Sequence, residues 1–236
     1  MKKRRVSKRQ RPVGRTQRAA EADSRGRQIP AASASVNELV GRFVRLRPLR
    51  VEDAPLTFQW RQSQRAALLN RGAQTVADQA AWIAARPRSE HNFIIERLDT
   101  GQPVGMLSLT DVDLVHRRAE PGRFLIGEPA AVHGIPAAVE AMQLLYELAF
   151  ERLELIRVYG TVAADNPLML KWQKYLGMKE EGRLRSHYFL DGRFQDAICV
   201  GLLVDEYRAV TVPKMRALIA AGRPAPVPPK AATETT

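Results

Sequence analysis

The chain has 236 residues, 45% of them hydrophobic, which suits one soluble domain with a full core. Its formal charge of +12 is uneven: residues 1–28 hold eleven Lys and Arg against Glu21 and Asp23, so the remainder is only mildly basic. A lone Cys199 excludes an intramolecular disulfide. No apolar run reaches the about 18 residues that a bilayer span needs, and no apolar signal core stands at the start, so a cytoplasmic protein is expected.

Taken in chain order, residues 1–35 have too little apolar surface to fold and are expected to form a disordered basic arm. Two readings of that arm stand: residues 1–28 contact RNA or the ribosome by releasing counterions from phosphates, or they only solubilise the chain. Next, Val44 and Leu46 alternate with Arg45 and Arg47, a half-buried strand that Pro48 ends. Acids in the first turn of VEDAPLTFQWRQ, with Leu56 and Trp60 at helical spacing, predict a helix. A short helix follows over 76–85, with a loop or broken helix between. The turn formers in DTGQ join 93–98 to 104–109 as a hairpin, and another strand ends at Gly127.

The apolar stripe Ala138, Met142, Leu145, Ala149, Leu153 predicts a long helix opened by Gly134. IRVYGTV reads as a strand, and Asn166 followed by Pro167 reads as the cap and first residue of a short helix. RLRSHYFL and FQDAICVGLL, joined by DGR, close the chain as a hairpin in which Cys199 reads as a small core residue. A mixed sheet with helices on both faces results. Residues 36–208 are expected to form the domain, and 209–236 a C-terminal extension of one short helix and a Pro-rich disordered tail.

The order strand, loop, Gly134 opening a long helix, strand, Asn166, short helix, then LGM and EEGRLR, over 124–182, resembles the acetyl-CoA-binding half of a GNAT N-acetyltransferase. LRPLRVEDA with WR, TDVDLVHRRAE and GRFQDAICVGLLVDEY extend the resemblance to about residues 40–207. They look like the branch of ribosomal-protein, polyamine and amino-sugar acetyltransferases. The resemblance implies an α/β (α+β) GNAT fold with a mixed, mostly antiparallel sheet of about six to seven strands. It also implies acetyl-CoA as cosubstrate, no metal, an amine acceptor, and homodimers through the C-terminal strands.

Carried over residue by residue, the resemblance assigns Leu125, Ile126, Val132, His133, Gly134, Ile135, Ala137, Asn166 and Lys171 to cofactor binding, and Trp60 and Arg61 to the acceptor. A helix N-terminus suits the phosphates because its unpaired amides and dipole favour anions. The position of the family's general-acid tyrosine falls on Gln173, which can hydrogen-bond a sulfur but cannot protonate it. Tyr175 lies about 200° round the helix and does not replace it. Glu120 is the first candidate base and His116 the second, each alternatively a salt-bridge partner of Arg117 and Arg118. The family's loop pattern is kept at Gly134 but replaced by Ala131 and Pro136, and Pro136 offers no amide. Two functions follow: an N-acetyltransferase acting in a ternary complex, or a catalytically impaired binding protein of the same fold.

Overall fold

A computed structural model describes residues 38–222 apart from Asn70, Arg71, Arg88 and Asp191. The basic run of 1–28 and the Pro-rich tail lie outside the described residues. The elements in order are β1 (Leu39–Val40), β2 (Val44–Pro48), α1 (Ala54–Gln62), α2 (Val76–Ala84), β3 (His91–Arg97), β4 (Pro103–Asp113) and β5 (Arg118–Ile126). They continue with α3 (Ala137–Glu147), β6 (Arg157–Ala163), α4 (Pro167–Tyr175), β7 (Lys179–Leu190), β8 (Arg193–Leu203), α5 (Val204–Glu206) and α6 (Val212–Ala221). The sheet has eight strands in the order β1-β2-β3-β4-β5-β6-β8-β7. That is more than the six to seven expected, because the two-residue β1, paired Leu39 to Leu46, is too short to show a period.

Every pair is antiparallel except β5 with β6. Strand alternation sends successive side chains to opposite faces. Ile94, Met106 and Leu125 meet Trp60 on the α1 face. Phe93, Ile95, Val104 and Leu107 bury against α3 on the other. Cys199 of β8 is only half-buried, opposite Thr161 of β6, so it is not part of the core that its neighbours Ile198 and Val200 join.

Buried polar ties set the helices in place. The Arg47 guanidinium donates two bonds to Asp53, each 2.7 Å, and Nε to Glu96, which fixes the start of α1 over β2 and β3. On the other face Glu140 of α3, 3% exposed, accepts the backbone amides of Arg42, Phe43 and Val44 at 2.6 to 2.8 Å. A side chain at Gly41 would meet that carboxylate at 2.5 Å, so the turn must carry glycine.

The predicted long helix is α3 followed by one wide turn over Leu148–Arg152, where the Leu153 amide bonds the Leu148 carbonyl five residues back. The wide turn keeps Leu148, Ala149 and Phe150 inward, and Phe150 stacks on Tyr207 at 4.5 Å. Met215 of α6 is fully buried in the same core. No described helix is long and apolar enough to cross a membrane.

Candidate active site

The parallel ladder between β5 and β6 contains Arg118 with Arg157 and Ala119 with Val158, and then it stops. Both strands run on, to Ile126 and Ala163, and diverge. Past Ala119 the facing edges of β5 and β6 no longer pair with each other, and the Thr161 amide of β6 faces the Glu120 carboxylate instead. A cavity of about 380 Å³ occupies the opening. One wall comes from Glu120 to Phe124 of β5 and Thr161 to Ala163 of β6. The α1 and α2 side contributes Arg61, Leu68, Leu69, Gln79 and Trp82, and the α3 and α4 side contributes Met142, Asn166, Met169 and Gln173. The opening thus joins the two faces of the sheet. Phe124 of β5 stacks flat on Trp172 of α4 at 5.2 Å, which ties that helix to the far strand across the gap.

Glu120 reaches into the gap. A Cβ at Gly160 of β6 would stand 3.4 Å from its Oε1, an ordinary contact, so the carboxylate lies against β6. Burial pushes the Glu120 carboxyl up from its ordinary range, and Asp111 adds to this; Arg123 opposes it. A carboxylate raised in this way is a stronger base than a solvated one.

His116 does not share the site. It sits exposed in the turn between β4 and β5, its amide donating 2.8 Å to Asp113. It does not line the cavity that Glu120 lines, which corrects it as a base candidate. Tyr188, absent from the expected set, lines the cavity with its hydroxyl 2.5 Å from Thr161 Oγ1.

At α4, Asn166 Oδ1 accepts the Met169 amide at 3.1 Å, so the same residue caps the helix and lines the cavity. Gln173 faces the cavity, and its Oε1 is buried with no hydrogen-bond partner among the described residues. Tyr175 is half exposed on another side of the helix, under the Lys214 ammonium. Lys171 is exposed and does not line the cavity, because it lies away from the face that carries Met169 and Gln173.

The loop into α3 differs from the expected cradle. The amides of Val132, His133 and Ile135 are spent on turns to Pro129, Ala130 and Val132, so those three positions offer no free donor here. His133 is exposed, while Val132 and Ile135 pack on the core. Among the described residues no acceptor meets the amides of Gly134, Ala137, Ala138 and Val139. Pro136 stands at the N-cap, before the first helical residue, so it removes none of the three first-turn donors. Its ring packs instead against Gly222, where a side chain would meet it at 2.4 Å. Gly134 has φ +84, a left-handed turn that glycine takes without strain.

Leu125 and Ile126 are buried on opposite faces, so they support the end of β5 rather than line the cavity. Trp60 is corrected likewise. It is 2% exposed beneath Gly127, where a side chain would strike the indole at 2.3 Å, and its Nε1 donates 2.7 Å to Glu128. Packing claims the whole ring and leaves none for an acceptor. The next residue, Arg61, does line the cavity.

The site thus combines a splayed parallel pair with a carboxylate in the gap and a helix N-terminus with free amides beside it. The pattern described as the Acetyltransferase (GNAT) domain matches residues 44–179, more than half of the sequence, and the chain belongs to that family. Among curated proteins it is similar to spermidine N(1)-acetyltransferase of Escherichia coli (strain K12), 30% identical over 122 residues. That match covers 52% of this chain and 63% of the relative, less than two thirds of its length.

Among solved structures it resembles a GCN5-related N-acetyltransferase from Brucella melitensis, with a TM-score of 0.67, 22% identity and coverage of 81% and 91% of the two chains. It also resembles a spermidine N-acetyltransferase from Vibrio cholerae in complex with CoA and spermine, with a TM-score of 0.62, 22% identity and coverage of 70% and 98%. At these identities the two structures show the fold.

Proposed function

We propose that the protein is an N-acetyltransferase that carries an acetyl group from acetyl-CoA to a primary amine within one ternary complex. The observation that carries this reading is the gap between β5 and β6, open to both faces of the sheet, with the Glu120 carboxyl in it. Two substrates entering from opposite faces meet there without a covalent enzyme intermediate.

The residues fit acetyl-CoA. The free amides of Gly134, Ala137, Ala138 and Val139 suit the diphosphate. Within α3 they begin at Ala137, about 7.5 Å along the axis from Met142, which lines the cavity. The separated edges of β5 and β6 suit the amide arm, and the buried, unpartnered Gln173 Oε1 suits an N–H donor from it. When bound, acetyl-CoA supplies the acyl group as an activated thioester.

Glu120 takes the proton that the acceptor nitrogen sheds as it becomes an amide. Asn166 and Gln173 hold the thiol end near the gap. Gln173 carries no acidic proton, so the thiol leaves as thiolate and is protonated by solvent. The impaired-binder reading rests on Ala131, Pro136 and Gln173, and the position of Pro136 outside the first turn removes one of those supports.

Free-thiol release from acetyl-CoA with a panel of primary amines tests the proposal. Turnover in the wild type, reduced about 10²- to 10⁴-fold by Glu120→Gln, is the expected result. No turnover with any amine would favour the impaired binder, and full activity in Glu120→Gln would remove the base from Glu120.

A further inference from the structure

Two guanidiniums line the acceptor side of the cavity, and only one of them has a carboxylate partner among the described residues. Arg123 donates to Glu90 at 2.7 Å and to Asn92 at 2.8 Å, and it lies over the Trp82 ring at 5.0 Å. Arg61, half-buried beside it, meets no carboxylate and no hydrogen-bond acceptor among the described residues. Its guanidinium is pushed below its ordinary range by burial and by the like charge of Arg123. A guanidinium cannot shed its charge under working conditions, so an unpaired one facing a cavity is a standing cost.

The position is also held firmly. Trp60, the preceding residue, is locked beneath Gly127, and the start of α1 is clamped by Arg47 and Asp53. Nothing nearby lets the side chain escape the pocket by moving the helix.

We infer that the acceptor amine carries an anionic group, a carboxylate or phosphate on the same small molecule, and that Arg61 is the residue that reads it. This rests on the acetyltransferase reading above. It departs from the substrate in the curated relative's name, since spermidine is a polycation and the Arg61 guanidinium, which has no carboxylate partner among the described residues, repels it.

The test compares matched acceptors by thiol release in wild type, Arg61→Gln and Arg61→Lys. The pairs are L-methionine against L-methioninamide, and O-phosphoethanolamine against ethanolamine, with spermidine as the polycation. The wild type should favour the anionic member of at least one pair about 10- to 100-fold in kcat/KM. Which pair responds separates carboxylate from phosphate. Arg61→Gln should bring that ratio towards one, and Arg61→Lys should restore part of it.

Preference for spermidine or for the neutral members, or a ratio unmoved by Arg61→Gln, overturns the inference while leaving acetyl transfer standing. Absence of turnover with every amine fails the acetyltransferase reading itself and the inference with it. The urea midpoint of Arg61→Gln gives a second readout. It should match or exceed that of the wild type, because an unpaired charge is removed; a clear loss would reveal an internal partner for Arg61 and overturn the inference.

Discussion

Glu120, the proposed base, sits where burial works against stability. Its carboxyl is raised by burial, so the folded state holds that proton more tightly than the unfolded chain. The sign follows: below the ordinary glutamate range the group costs nothing, and as pH rises through the raised value the folded state loses stability. Glu120→Gln should therefore raise the urea midpoint at alkaline pH, gain nothing at acid pH, and lower turnover. The acid limb of wild-type kcat/KM should also lie above the ordinary carboxylate range; a limb at the ordinary position would show that the burial does not reach the working base.

Gln173→Tyr should raise turnover, since the phenol can protonate the leaving thiolate. An unchanged rate would mean that the proton arrives by another route. Both Glu120 and Gln173 were legible from the sequence, because each occupies a fixed offset from a strand or a cap. Arg123 and Tyr188 were not, since their approach to the cavity depends on backbone irregularities at Arg123, φ +52, and Ser186, φ +48. Such bulges reverse side-chain parity and leave no period to read.

At the scale of elements, the tie between α3 and the turn before β2 decides where the helix N-terminus sits. Glu140→Ala would strand three backbone donors, two of them the buried Phe43 and Val44 amides, and should cost at least about 3 kcal/mol by urea denaturation. Glu140→Gln keeps one acceptor oxygen and should fall between. A cost near zero for Glu140→Ala would show that water replaces the carboxylate and that the tie is dispensable.

Most elements followed from apolar spacing and caps: the alternation of Val44 and Leu46, the stripe from Ala138, and Asn166 before Pro167. What the spacing hid has physical causes. A stripe that drifts by one residue looks the same in a uniform helix and in one with a wide turn, so the Leu148–Arg152 segment was not separable from α3. Trp60 and Arg61 are adjacent and looked equivalent, yet a helix turns 100° between them, and one packs under Gly127 while the other faces the cavity.

For the whole molecule, a sheet that loses its ladder between β5 and β6 turns a barrier into a passage, and the proposed reaction brings its two substrates to that passage from opposite faces. The family and the order of elements could be read from residues 124–182, whereas the cavity could not, because it exists only where two strands fail to pair. The basic run of residues 1–28, outside the described residues, is a separate matter. Deleting it should leave turnover intact; if the run contacts RNA, salt-sensitive RNA affinity falls, and unchanged affinity assigns it to solubility.

The measurement that bears most directly on the account is calorimetric titration of acetyl-CoA into the wild-type protein. The free amides at the start of α3 and the open gap predict saturable binding at a single site. No binding at millimolar acetyl-CoA would contradict the account.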